Sequence, residues 1–285
     1  MGAFERLDHM AELTAARLDE FMVILYAVSL VFYFIDYLKR DRRAHGMAFA
    51  LLLLVYLLQT MNISIAIIQT KRMPIFSLFD SVYLYAWLLM TISLILHASH
   101  KYSFMIFFLN VLGFIFLTIH TFGPTRIAES PIRESLISEW LFIHISFAIL
   151  SYVAFGIGFV FAVLYLLVYQ LLKEKKWTKQ FGRYPSLHQT TLGMKFSTYV
   201  GIPILFISLV LGINWANAVL DDWSLFDFKI VTSFVVLLIY GSMLFFQQRG
   251  KLQANDYAWA HIIAFLVVII NYFLAGRFSD FHYWL

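Results

Sequence analysis

The chain has 285 residues, of which 61% are hydrophobic and 13% are charged, and its mean hydropathy is +0.78. Soluble domains contain about 45–50% apolar and about 25% charged residues, so this composition excludes an ordinary soluble globular protein. The absence of cysteine excludes disulfides and thiolate metal sites within the chain. The net charge of +4 comes from basic residues clustered between apolar segments, which argues against nucleic-acid binding.

Eight long apolar segments follow one another along the chain. Because a bilayer offers no water to backbone N–H and C=O groups, apolar runs of roughly 17–25 residues predict membrane-spanning helices. We therefore expect an all-α polytopic membrane protein. The predicted spans are Phe21–Leu38, Met47–Gln69, Ser81–His97, Phe104–Phe122, Leu141–Leu172, Phe196–Trp215, Ile230–Phe246 and Trp259–Leu274.

The distribution of lysine and arginine predicts the orientation of these spans. Loops after the first, third, fifth and seventh spans carry thirteen of the 21 basic residues, and the opposite face with both tails carries eight. By the positive-inside rule, both termini lie on the outer face and the basic loops lie in the cytosol. The mixed-charge start, residues 1–20, has no cleavage-site pattern, so we expect no signal peptide.

The fifth apolar segment is longer than a bilayer core requires, and it ends in a basic run. Its small residues Ala154, Gly158 and Ala162 recur every four positions, which is typical of closely packed helices. The longest breaks, Gly123–Trp140 and Lys173–Lys195, are too short to separate domains. We therefore predict a single membrane domain over residues 1–285.

Ionisable residues are scarce within the predicted spans. Asp36 and Asp80 lie near span ends, whereas ion-coupled transporters need ionisable residues near the membrane midplane. Nucleotide-binding, zinc-protease and serine-hydrolase motifs are absent from the sequence. These observations argue against a secondary transporter and predict that the protein is not an enzyme.

Histidine is the exception among the polar residues. His120, His144 and His282 lie at outward ends of spans, where neutral imidazoles can serve as axial ligands of haem iron. Ordinary interfacial histidines are the alternative interpretation. A second site near the cytosolic leaflet, using His97 and His261, stays open at this point.

Aromatic residues surround the outer histidines. An interfacial aromatic belt explains them, and so does an apolar platform for a porphyrin; composition does not separate the two. These residues are Trp215, Trp223, Phe226, Phe228, Phe281, Tyr283 and Trp284.

Four segments of the chain resemble the cytochrome c assembly family, whose members handle haem on the outer membrane face. WANAVLDDWSLFDFK, at 215–229, is similar to the family's tryptophan-rich WWD loop. IHISFAILSY, at 143–152, resembles its histidine-led helix, and SLFDSVYLYAW, at 77–87, resembles a segment that normally carries Glu at Asp80. NYFLAGRFSDFH, at 271–282, resembles the last span and the external histidine that follows it. The resemblance covers residues 75–285 approximately.

The resemblance implies a haem site on the outer face. His144 and His282 correspond to the two external haem ligands, and the other matching residues belong to the loop motif. With His120 added for its position, the expected site comprises His144, His282, Trp215, Trp223, Phe226, Asp227, Lys229 and His120. Haem is therefore the expected cofactor.

The loop departs from the family pattern at three positions. Phe226 replaces a tryptophan, Phe228 replaces a proline, and Ile230 replaces an acidic residue. These changes argue against a complete cytochrome c synthetase. A synthetase or haem-delivery subunit is nevertheless the alternative that we keep.

The eight spans and the segments HTFGPT, IHISFAILSY and FHYW resemble most the HemX-like branch of the family. This resemblance implies a bacterial plasma-membrane protein linked to haem biosynthesis that lowers the level of glutamyl-tRNA reductase. The expected partners are haem, the lipid bilayer, and either this reductase or a cytochrome c assembly subunit. The basic loop Lys173–Lys195 is a candidate contact for the reductase, although its charge also serves topology. A haem-independent membrane scaffold is a further alternative.

Overall fold

A computed structural model describes residues 3–39, 41–97, 103–123, 138–175, 184–220, 223–274 and 278–279. Within these ranges the protein is all-helical, with eight α-helices and no strand. The helices are α1 (Ala3–Lys39), α2 (Arg42–Thr70), α3 (Leu78–His97), α4 (Ser103–Phe122), α5 (Glu139–Lys173), α6 (Leu187–Val219), α7 (Phe228–Gln248) and α8 (Ala254–Leu274).

Each of the eight helices contains a stretch long and apolar enough to cross a membrane. Every predicted span lies inside one helix, so the prediction of an all-α, multi-pass membrane protein is confirmed. The orientation of the termini stays a prediction from the charge distribution.

Polar caps set the ends of several helices beyond the apolar runs. Helix α6 begins at Leu187, well before Phe196, because Ser186 accepts a hydrogen bond from the Gln189 backbone and the Gln189 side chain accepts one from the Ser186 backbone. This reciprocal capping box satisfies two backbone N–H groups that would otherwise lack partners. Ser138 caps α5 and Asp227 caps α7 through their side-chain oxygens.

The helices group into two compact units. The first contains residues 1–74, 82–99 and 106–127, which include α1, α2 and most of α3 and α4. The second contains residues 75–81, 100–105 and 128–285, which include the beginnings of α3 and α4 and all of α5 to α8. The single membrane domain stays a prediction.

A buried polar network joins three helices of the first unit. The Tyr26 hydroxyl donates to Asn110 Oδ1 at 2.9 Å, and Asn110 Nδ2 donates to Ser93 Oγ at 2.6 Å. All three side chains are buried. Because an apolar environment penalises unpaired polar groups, this network fixes the register of α1, α3 and α4.

Close packing of α5 against α6 and α8 organises the second unit. The small residues Ala154, Gly158 and Ala162 of α5 are all buried. A Cβ atom added to Gly158 would lie 3.2 Å from both the His261 ring and the Ser197 Cβ, so the glycine lets α6 and α8 approach. The pattern seen in the sequence is thus accounted for by helix packing.

Candidate functional site

His144 is held on α5 by Ser208 of α6. The His144 Nδ1 atom lies 2.7 Å from the Ser208 carbonyl oxygen, and the Ser208 hydroxyl donates to the His144 carbonyl at 2.9 Å. A carbonyl oxygen can only accept, so Nδ1 carries the proton in this contact. Nε2 is then the ring nitrogen that carries a lone pair suited to a metal.

Gly212, one turn beyond Ser208 on α6, makes room for the imidazole. A Cβ atom at this position would lie 2.7 Å from His144 Cε1 and 2.8 Å from Nδ1, which is closer than real Cβ contacts allow. The hydrogen bonds of Ser208 and the missing side chain of Gly212 therefore set both the orientation and the depth of the ring.

A cavity of about 80 Å³ lies in the second unit, and His144 is one of the residues that line it. Its lining is mainly apolar, and the polar contributions come from one histidine, one lysine and several hydroxyl groups. The lining residues are Leu78, Ser81, His144, Ile145, Ala148, Ile149, Tyr152, Leu205, Ser208, Leu209, Gly212, Ile213, Trp215, Lys229, Ile230, Ser233 and Tyr272. Three predicted site residues, His144, Trp215 and Lys229, are thus brought together.

Lys229 enters this cavity from the first turn of α7. Its Nζ donates to the Asn271 carbonyl at 2.8 Å and lies 5.9 Å from the centre of the Tyr272 ring. The Asn271 side chain also accepts from Thr232 and donates to Tyr152. Helices α5, α7 and α8 therefore share one polar cluster beside the cavity.

Asp227 performs a structural task at the start of α7. Its Oδ1 accepts from the Lys229 backbone N–H at 2.9 Å, and its Oδ2 accepts from the Ser279 hydroxyl at 2.7 Å. An acidic N-cap also compensates the positive end of the helix dipole. The side chain is buried without lining the cavity.

The aromatic residues of the loop occupy different environments. Trp215 is only 2% exposed and lines the cavity, whereas Phe226 is 87% exposed. Trp223 is half-buried in the loop, outside the cavity lining. Only Trp215 of these three supplies an aromatic wall to the site in the described part of the chain.

The remaining predicted histidines are placed as follows. His120 belongs to the first unit, where its Nε2 lies 3.7 Å from an Asp19 carboxylate oxygen and its ring packs 4.5 Å from Tyr83, centre to centre. His282 lies outside the described residues, as do Phe281, Tyr283 and Trp284. The two-histidine haem site stays a prediction.

The histidines considered for a second site have protein partners. His261 is fully buried, with Nδ1 3.0 Å from the Tyr257 carbonyl and Nε2 3.0 Å from the Thr198 hydroxyl. His97 stacks on Phe49 with ring centres 4.1 Å apart and on His45 at 4.7 Å. These contacts account for both histidines as packed side chains of separate units.

Sequence reasoning missed Ser208, Gly212, Asn271 and Tyr272. Asn271 carried a signal, because a polar residue inside an apolar span indicates a buried partner.

Among the described residues no group of three or more His, Cys, Asp or Glu side chains could hold a metal ion. A haem iron with one or two imidazole ligands does not require such a group.

The residues present fit an axial haem ligand, because His144 donates Nδ1–H to a carbonyl and thereby presents Nε2. The cavity volume of about 80 Å³ is smaller than the roughly 300–1,000 Å³ of typical ligand pockets. It accommodates a substituent or an edge of a porphyrin, whereas the whole macrocycle needs space beyond the cavity.

Comparison with known proteins agrees with the sequence resemblance. The family described as "Cytochrome C assembly protein" matches residues 75–280, which include every residue of the cavity. Protein HemX of Bacillus subtilis (strain 168) is 42% identical over 274 residues, covering 96% of this chain and 99% of the relative.

Two further relatives extend the comparison. Protein HemX of Brevibacillus brevis is 34% identical over 262 residues, covering 92% of this chain and 96% of the relative. The cytochrome c biogenesis protein CcsA of Guillardia theta is 22% identical over 267 residues, covering 86% and 87%. The alignments with both HemX proteins thus span nearly the full length of either chain.

Proposed function

Since the chain belongs to the cytochrome c assembly family, in its HemX-like branch, we propose that it is a haem-handling protein of the bacterial plasma membrane, without enzymatic activity. The observation that carries this proposal is the contact between His144 Nδ1 and the Ser208 carbonyl, at 2.7 Å. A metal-ligating histidine commonly donates its second ring N–H in this way. Bound haem would supply an iron centre that takes imidazole as an axial ligand.

The residues of the second unit have distinct parts in this proposal. His144 presents Nε2, and Trp215 provides a buried aromatic wall beside it. Lys229 adds the positive charge of the cavity. His282 is the second ligand that the family resemblance implies.

We propose further that the protein lowers the level of glutamyl-tRNA reductase, with haem at the His144 site as the signal. The support for this role is membership of the HemX-like branch. A signal of this kind requires that haem bind two conformations of the protein with different affinities.

A His144→Ala variant tests the haem proposal. We expect the purified protein from haem-replete cells to show sharp oxidised and reduced visible bands, and the variant to lose most of them because the axial ligand is gone. His188→Ala is the matched control, since His188 is an exposed histidine on α6 outside the cavity lining. Unchanged bands in His144→Ala would contradict the proposal.

The same strains separate the alternative functions. Reductase abundance that rises in His144→Ala cells supports haem-dependent regulation. Regulation that persists in this variant favours a haem-independent scaffold. Loss of mature c-type cytochromes on deletion favours a synthetase or haem-delivery subunit, the alternative suggested by the similarity to CcsA.

A further inference from the structure

We propose that the cavity of the second unit binds a carboxylate group, with the Lys229 ammonium as its cation and the apolar lining against the body of the ligand. The ligand class is a carboxylate on an apolar molecule, and two sources share this chemistry: a tetrapyrrole propionate and a fatty acid. The identification of the ligand as a tetrapyrrole rests on the proposed function, whereas the proposal of a carboxylate site does not depend on it.

The first support is the charge of the lining. Among the described residues that line the cavity, Lys229 is the only lysine, arginine or acidic residue. Asp227, two residues before Lys229, accepts from the Lys229 backbone and from Ser279, and its charge attracts the ammonium group without forming an ion pair within 4 Å. Among the described residues no carboxylate forms an ion pair with Lys229 Nζ. A cation in an apolar setting is costly unless an anion compensates it.

The second support is an inventory of hydrogen-bond donors. An ammonium group has three N–H donors, and the Asn271 carbonyl takes one of them. Four of the cavity hydroxyls use their single protons elsewhere, since Ser81, Ser208, Ser233 and Tyr272 each donate to a backbone carbonyl. The fifth, that of Tyr152, accepts from Asn271 Nδ2. The Lys229 ammonium group therefore has further N–H donors in the cavity, and a ligand could supply their acceptor.

The third support is the residue that follows Lys229. The family resemblance places an acidic residue at position 230, where this chain has isoleucine. Ile230 is buried and lines the cavity, so an acid there would lie beside the ammonium group and neutralise it. With isoleucine the cavity keeps its positive charge and gains apolar surface.

Size and lining favour a carboxylate over a phosphate. A volume of about 80 Å³ takes a small group. One lysine matches the single charge of a carboxylate, whereas a phosphate ester carries about −1.5 to −2 and typically binds to arginines or several backbone N–H groups. Ile145, Leu205 and Leu209 then contact the hydrocarbon next to the charged group.

The test uses the full-length protein in nanodiscs and two pairs of probes. Protoporphyrin IX is compared with its dimethyl ester, and dodecanoate with its methyl ester, by equilibrium titration. Because the porphyrin contains no iron, its binding does not need an axial ligand. We expect the acids to bind about 10- to 100-fold more tightly than their esters, as for a charge-assisted hydrogen bond in a buried site.

Variants at Lys229 decide whether this preference comes from the proposed cation. Lys229→Met should abolish the preference of the protein for acids over esters, while Lys229→Arg retains it. Lys251→Met, at an exposed lysine after α7, is the matched control and should behave as wild type. Thermal unfolding of each variant verifies that the fold is intact. A preference limited to the porphyrin pair identifies a tetrapyrrole, and a preference in both pairs identifies a general carboxylate site.

Three outcomes would overturn the proposal. These are equal binding of acids and esters by the wild type, no binding of either acid, and a preference that survives in Lys229→Met. Hemin spectra recorded in parallel keep the two proposals apart. Axial bands that depend on His144, together with no preference for acids, would leave haem handling standing and remove the carboxylate site.

Discussion

Ser208 determines the chemical state of His144 as well as its position. Its carbonyl receives the Nδ1 proton and its hydroxyl donates to the His144 backbone, so two bonds tie the same pair of helix turns. The backbone carbonyl cannot be removed by substitution, and this makes the tautomer of His144 robust. Replacement of Ser208 by alanine would remove the hydroxyl bond to the His144 carbonyl and the 3.2 Å contact of the hydroxyl with Nδ1, and it would leave the carbonyl contact in place.

At the same scale, Gly212→Ala should disturb haem retention without touching a ligand. The new Cβ would lie 2.7 Å from His144 Cε1, so the His144 ring would have to shift. We expect about 10- to 100-fold weaker retention, the range seen when the partners of a metal ligand are disturbed. Spectral titration with hemin measures the change.

Gly241→Ala is the matched control for this variant. No atom lies within 4 Å of a Cβ added at Gly241 on α7, so the space for a methyl group is present. We expect unchanged haem retention and a gain of about 0.5–1 kcal/mol in the free energy of unfolding, because alanine is the better helix former. Equal effects of both substitutions on retention would show that Gly212 acts through general helix stability.

Among the elements, α6 shows how a helix of a membrane protein extends beyond its apolar run. Its apolar run starts at Phe196, yet the helix begins at Leu187 after the capping box of Ser186 and Gln189. In water the first turn has no intrahelical acceptors for its N–H groups, so a polar cap decides where the helix begins. The extension carries exposed polar residues such as His188.

Ser186→Ala should therefore shorten α6 at its N-terminus. We expect a loss of about 1 kcal/mol in stability, as for other N-cap replacements, and faster hydrogen exchange of the amides at 187–190. Ser242→Ala, at an exposed serine within α7 that donates to its own helix, is the control. Unchanged exchange at 187–190 would contradict the importance of the cap.

Sequence reasoning located the helices better than the site. Apolar runs are local, so all eight spans were predicted, and His144 and Trp215 were assigned to the correct helices. The partners of His144 depend on the packing register of α5 against α6, which no local pattern encodes. Ser208 and Gly212 therefore looked like ordinary residues of an apolar span.

For the whole molecule, the distribution of lysine and arginine makes a prediction that the structure leaves to experiment. Both termini and the loop that contains Arg72 should lie outside the cell, and the loop that contains Lys251 should lie in the cytosol. Because the chain has no cysteine, single cysteines can be introduced without any background reaction. The two loops are thus well suited to labelling.

The measurement compares Arg72→Cys with Lys251→Cys in intact cells. A membrane-impermeant thiol reagent should label Arg72→Cys in intact cells, whereas it should label Lys251→Cys only after the membrane is permeabilised. The wild type is the control for nonspecific labelling. The reverse pattern would invert the orientation and place the end of α5 that carries His144 on the cytosolic side.

The hydroxyl groups of the cavity also bear on whether protons could move along this region. Proton conduction along hydroxyls requires each oxygen to pass on a hydrogen while it receives another. Here Ser81, Ser233 and Tyr272 point their hydrogens at backbone carbonyls, and Lys229 holds a positive charge in the same space. A lysine ammonium in this space repels hydronium, as positive charges do in pores that exclude protons. Ser81, Ser233 and Tyr272 therefore pass no hydrogen to one another, so these three hydroxyls do not form a hydrogen-bonded chain along the cavity.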